Sequence, residues 1–226
     1  EALWAYLAAY ERQTGGEVLA IPHNGNLSKG VMFALEDAEG NPLSVDYAKT
    51  RSRWEPLFEV TQIKGDSESH PILSVTDEFA DYEIISSRAP IEYSSSEVRY
   101  YDSWVKKNIE GSDKSWMHQY EYARSALKLG IEQQARLGVN PFKFGLIGST
   151  DSHTSLATAD EDNFWGKVTW VEPYLNRGVG TWAPNTGEEM QGFWSKAWRM
   201  NAAGYAAVWA DEHTRESLFT AMKRRE

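Results

Sequence analysis

The chain contains no cysteine. That removes disulfides, thiolate metal sites and cysteine nucleophiles together, so any metal here must be held by His, Asp or Glu. A cysteine-free chain suits a periplasmic or a cytoplasmic setting equally. Basic residues are few: 23 Lys and Arg stand against 33 Asp and Glu, a net charge of -10. Phosphate backbones call for clustered positive charge, so this balance argues against a nucleic-acid surface. The basic cluster Lys223-Arg224-Arg225 reads instead as a helix C-terminus. No apolar run approaches the roughly 20 residues of a membrane span. There is no G-x-S-x-G elbow, no dinucleotide fingerprint and no P-loop.

What remains is the composition of a globular protein. Of 226 residues, 41% are hydrophobic and 25% charged, enough for one domain with a full core. Both ends read as helices already under way: "EALWAYLAAYERQ" opens without Met or a signal pattern, and "TRESLFTAMKRRE" closes. The expectation is a single, truncated domain over 1–226, cut from a longer protein.

Periodicity predicts a helix over 1–13, a buried strand "EVLAIP" at 17–22, a short helix over 45–53 and a strand "LFEVTQI" at 57–63. Residues 71–118 show no clear period and suggest an insertion or a lid. A helix follows within 120–138, with Ala123, Ala126, Leu127, Ile131 and Leu137 on one face and Gly138 as its stop. "FKFGLIGS" at 142–149 is a strand, 150–187 a long loop, 188–201 a helix and "YAAVWA" at 205–210 a strand. Thr214 caps the last helix. Alternating strands and helices imply a parallel sheet with crossover helices.

Polar clusters follow three of these strands: His23-Asn24-Gly25-Asn26, the run Lys64 to His70, and Asp151-Ser152-His153. In parallel α/β folds the C-terminal strand edge is where ligands bind. Residues two apart in extended chain point the same way, so Asp151 and His153 can grip one ion, with Ser149 or Thr150 bracing the carboxylate. The plainer alternative is a turn-capping aspartate beside a surface histidine. His23 is read either as one polar turn residue or as the third member of a His/Asp/His set suited to Zn, Mn or Fe. Glu59 suits a ligand or general base facing a barrel interior, and equally a salt-bridged strand glutamate.

"AIPHNGNLSKG", "FEVTQIKGDSE", "GLIGSTDSHT" and "VWADEHTRESLFTAMKRRE", in this order, resemble the DUF3604 family, which is similar to the PHP (polymerase and histidinol phosphatase) metal-dependent hydrolases. The resemblance implies a partial or distorted (β/α) TIM-like barrel of the PHP type with long loop insertions. It implies divalent metal ions held by Asp151 and His153 as the late Asp-x-His and by His23 as the mid-chain histidine. The early His-x-His of that group is absent from this chain and is expected upstream. The implied activity is hydrolysis of a small, phosphorylated substrate by metal-activated water. Glu59, Asp66 or Glu68 would then serve as base, while Asn24, Lys64 and Arg124 would contact the substrate.

A rival reading rests on the 10 Trp and 11 Tyr. Many lie in the loops 91–120 and 164–198, where aromatic faces could stack on sugars and carboxylates cleave or bind them. The alternative is that these rings pack the loops onto the core.

Overall fold

A computed structural model describes residues 1–28, 30–62, 65–82, 115–153 and 204–226. The helix expected at 188–201 and most of both aromatic-rich loops lie outside the described residues. Four helices are described: α1 (Ala2–Thr14), α2 (Val45–Trp54), α3 (Ala123–Leu137) and α4 (Arg215–Arg224). The strands are β1 (Leu57–Gln62), β2 (Gly65–Asp66) and β3 (Gly145–Gly148), and two 3-10 turns cover Gly25–Leu27 and Ser115–Tyr120. No described helix is long and apolar enough to cross a membrane.

The helices begin and end where local chemistry dictates. Ser44 accepts a hydrogen bond from the Tyr47 amide at 3.1 Å and Thr214 one from Ser217 at 3.3 Å, each satisfying a free N–H of the first turn. Asp46 opens α2 and Arg51 and Arg53 close it, complementing the helix dipole. Gly138 stops α3 at φ 75°, a left-handed conformation that glycine adopts without a Cβ clash.

The (β/α) barrel expectation is not met. Among the described residues the strands form an open, mixed three-stranded sheet in the order β2-β1-β3. β1 pairs in parallel with β3, from Leu57 opposite Gly145 to Thr61 opposite Gly148, with an irregularity between Glu59 and Thr61. It pairs antiparallel with β2 only at its end, Thr61 opposite Asp66. The segments expected as strands at 17–22 and 205–210 lie close but form no ladder. Residues 17–22 contribute single bonds: the Ala20 amide donates to Trp54 O at 2.7 Å and Pro22 O accepts from the Glu59 amide at 3.0 Å. Pro22 has no N–H to return, which ends pairing there. On the far side, Tyr205 O accepts one bond from the Gly148 amide at 3.0 Å.

The core sits between α3, β1 and the loops around α2. Phe33, Leu43, Phe58, Ala123, Ala126 and Phe142 form its buried centre, with Val60, Leu129 and Phe144 packed against it. Phe33 meets Phe58 edge-on at 5.0 Å and Phe142 at 5.5 Å, favoured arrangements for aromatic rings. Arg51 lies over the Phe142 ring at 4.9 Å while bonding Met32 O and Glu55, so its charge is paired inside the core's rim. The buried residues of α3 are Ala123, Ala126, Gly130 and Gln133; of the expected stripe Ala123 and Ala126 are buried, Leu127 is half-buried, Leu137 packs against the core and Ile131 is exposed. Gly130 lies against the Asn140 side chain, so closely that a Cβ there would clash with it.

Candidate functional site

The Asp-x-His stretch leaves the end of β3 beside the middle of β1. Gly148 is required there, because a Cβ would lie 3.0 Å from the Gly204 Cα and 3.1 Å from the Thr61 side chain. Ser149 continues the pairing through its amide, which donates to Thr61 O at 3.0 Å. Its hydroxyl donates to Glu59 Oε2 and accepts from the Asp151 amide at 3.3 Å. One serine thus ties a strand glutamate to the turn that carries the aspartate. The turn is not extended as the spacing suggested. Asp151 is left-handed at φ 50°, and the Ser152 amide closes onto Thr150 Oγ1 at 3.1 Å. The two side chains nevertheless meet, with His153 Nε2 3.0 Å from Asp151 Oδ1. The Asp151 side chain is largely covered and that of His153 is half exposed.

Two buried oxygens in this quarter lack partners among the described residues. Glu59 is 8% exposed, and its Oε1 has none, although Oε2 is held by Ser149. Asn24, left-handed at φ 56°, has a buried Oδ1 in the same state. A buried acceptor without a donor is costly, on the order of 1–3 kcal/mol, unless a ligand supplies one. The Glu59 amide bonds to Pro22 O, so the loop with His23 and Asn24 starts beside β1. His23 is exposed, and its ring is not gathered with Asp151 and His153 into a set of ligand atoms within 4.8 Å. Among the described residues such a set is formed instead by Glu1, Asp37 and Glu39, carboxylates on or near the surface.

The second expected cluster has a different character. Asp66 accepts from the Glu68 and Ser69 amides, both at 3.0 Å, and burial pushes its carboxyl up to about 6. Arg124 donates to Glu68 Oε1 at 2.8 Å and to Asp77 Oδ2 at 2.6 Å. Those bonds, to Glu68 first, raise its already high pKa. The guanidinium expected to hold an anionic substrate is therefore clamped between two carboxylates. A cavity of about 340 Å³ opens here, lined by these groups with Phe79 and Tyr82. Lys64 lies outside the described residues.

The family model described as "Protein of unknown function (DUF3604)" matches residues 1–226. The chain belongs to the DUF3604 family. No curated protein and no solved structure matches it.

This DUF3604 chain also holds a buried polar cluster that the sequence reading missed. His118 Nδ1 lies 2.8 Å from Glu121 Oε2, and Glu121 Oε1 accepts from the Gly30 amide at 3.1 Å. His70 stacks on His118 at 4.3 Å between centroids, and Tyr122 packs against both rings. All four residues are 5% exposed or less. His118 and Glu121 stand at i and i+3, a helical spacing for a contact pair, and that was the available signal. Nothing in the spacing pointed to His70 as their neighbour.

Proposed function

We propose that this chain carries the Asp-x-His part of a divalent-metal site in a PHP-like metal-dependent hydrolase, acting on a small phosphoester-type substrate. The observation that carries the reading is the separation of Asp151 Oδ1 and His153 Nε2 beside the partnerless oxygen of Glu59. Two ligands each about 2.1 Å from one ion sit about 3.0–3.4 Å apart. The observed separation is 3.0 Å. A carboxylate and an imidazole suit Zn, Mn or Fe. The ordered resemblance of the motifs around His23, Glu59 and Asp151 to the PHP group adds support.

In this reading Asp151 and His153 would hold the ion, while His23, exposed and not gathered with them, is left out of the ligand set. A bound divalent ion would lower the pKa of its water towards neutrality and offset charge on the substrate. Glu59 would serve as the proton acceptor through Oε1, with its other oxygen held by the Ser149 hydroxyl. Asn24, with its buried Oδ1, orients a donor group of the substrate. Asp66 and Glu68 are committed to the turn they brace and to Arg124, so the base role stays with Glu59.

The test is elemental analysis with Zn²⁺ and Mn²⁺ titration calorimetry on the chain and on His153→Ala. Bound metal that weakens by at least about 10-fold in the variant is expected, the scale on which ligand-shell changes act. Equal binding by both proteins would remove the Asp-x-His pair from the site. Phosphoester hydrolysis is then measured with the metal that binds.

A further inference from the structure

We propose that the cavity between β2, the turn at 77–82 and the start of α3 is a sugar-binding pocket. It holds about 340 Å³, with Asp66, Glu68, Asp77 and Arg124 lining it beside Phe79 and Tyr82. That volume falls in the range of small-ligand sites. The charged groups make a fixed floor. Asp66 is held by the Glu68 and Ser69 amides, and the Arg124 amide donates to Glu68 O. The Arg124 side chain meets Glu68 through Nε and Nη2 and Asp77 through Nη1. A guanidinium has five N–H groups and a carboxylate about four acceptor positions, so donors and acceptors both remain for a ligand.

That floor selects the ligand's chemistry. An anion brings no donor and meets three carboxyl groups against one guanidinium. An ammonium brings donors but no acceptor for Arg124. A hydroxyl group brings both. The wall selects its shape. The Phe79 amide donates to Asp77 Oδ1 and the Tyr82 amide to Phe79 O, both at 3.0 Å, and Ala80 between them is buried. The turn therefore leaves both rings outside, Phe79 72% and Tyr82 69% exposed. Neighbouring exposed apolar groups beside a cavity mark binding sites, unlike ones scattered singly. A sugar ring is apolar on its C–H faces and polar at its edge, so it lies on an aromatic face while its hydroxyls reach the floor. Thr61 pairs with Asp66 on one side of β1, and its carbonyl takes the Ser149 amide on the other. The pocket and the Asp-x-His corner thus flank the same strand end. The pocket needs no metal, so its failure would leave the metal reading standing.

The test is NMR titration of the ¹⁵N-labelled chain, without metal, with glucose, galactose, mannose, glucuronate and methylammonium. At least one of the three neutral hexoses is expected to shift the amides of 66–69 and 77–82. Its Kd should be about 1–10 mM, the scale for a ligand of about a dozen non-hydrogen atoms. Glucuronate and methylammonium should bind at least about 10-fold more weakly than that hexose. Phe79→Ala and Tyr82→Ala change exposed rings and should each weaken the hexose by about 3- to 10-fold, the scale of a ring stack. No shift from any hexose at about 100 mM, well above that Kd, overturns the pocket. So does a hexose that binds both variants as tightly as the wild type, because the sugar then lies elsewhere on the chain. Glucuronate or methylammonium binding more tightly than every hexose overturns it as well, in favour of a simple ion site.

Discussion

Two buried glutamates show how differently this molecule treats the same side chain. Glu121 is 4% exposed, and each of its oxygens has a donor: Gly30 on one, His118 on the other. Glu59 is 8% exposed, and only one of its oxygens is engaged, by Ser149. The first is a closed account of donors and acceptors and holds the loop, the turn and α3 together. The second stands next to a half-exposed histidine and a left-handed aspartate, with an acceptor to spare. A satisfied polar group in the interior is explained by the fold, and an unsatisfied one asks for a ligand.

The same change at both positions breaks or sharpens that contrast. Glutamine has one acceptor oxygen, and its NH₂ group donates. At position 121 it turns a donor towards either Gly30 N or His118 Nδ1. Glu121→Gln should cost about 2–3 kcal/mol in denaturant unfolding, the scale for an unpaired buried donor next to a charged-group bond. At position 59 the amide oxygen can still accept from Ser149 while the NH₂ takes the side that lacks a partner. Glu59→Gln should stay within about 1 kcal/mol of wild type while divalent-metal affinity falls by about 10-fold. Equal losses of stability at the two positions would mean that Glu59 is as structurally committed as Glu121.

A smaller effect separates the two clusters by pH. The folded-state pKa of Asp66 is about 6, above its ordinary 3.8. The folded chain therefore binds this proton more readily, and the contribution of Asp66 to stability declines as pH rises from about 4 to about 6. It is level above that window. After discounting for partial solvent access, the decline is about 1–2 kcal/mol. Unfolding midpoints at pH 4.5 and 7.5 should show it in the wild type and lack it in Asp66→Asn. No such slope is expected to vanish in Ser149→Ala.

Much of this was legible locally and little of it globally. The helices were written in their caps: Ser44 and Thr214 at the starts, Gly138 at the end of α3. β1 was visible as an apolar run. The barrel was not there to be read, since runs such as 17–22 look like strands but make single bonds, and Pro22 cannot extend them. The burial of Gly130 was hidden from the helix's own periodicity because its close neighbour, Asn140, lies outside the helix. The Asp-x-His pair was found for a partly mistaken reason: its side chains meet through a left-handed turn rather than along an extended strand. The role of Ser149 was half seen, since it braces the Asp151 backbone and Glu59 instead of the Asp151 carboxylate. His70 and His118 pair across a long stretch of chain, and no periodicity encodes a ring stack of that kind.

Ser149 offers the next step down in size. Ser149→Ala removes the bond to Glu59 and the acceptor for the Asp151 amide, so a stability loss of about 1–2 kcal/mol is expected in thermal unfolding. Ser149→Thr keeps the hydroxyl and should recover most of it. A merely structural serine would leave metal titration unchanged. A positioning serine lowers metal affinity in the alanine variant and restores it in the threonine one.

The smallest stability effect should belong to the residue with the largest functional one. The His153 side chain is 55% exposed, and its described contact is the 3.0 Å approach to Asp151. An exposed ion pair contributes about 0–1 kcal/mol, so His153→Ala should unfold within about 0.5 kcal/mol of the wild type. If the histidine is a metal ligand, the same variant loses bound Zn²⁺ or Mn²⁺. It also loses the ligand-induced stabilisation that a saturating ion gives the wild type, about 2.7 kcal/mol at a hundredfold excess over Kd. The decisive comparison is therefore unfolding with and without added metal. If the two proteins coincide without metal and diverge with it, the corner at the end of β3 is a ligand site held in readiness. If they coincide in both conditions, the Asp151–His153 contact is a surface ion pair and the unsatisfied oxygen of Glu59 needs another explanation.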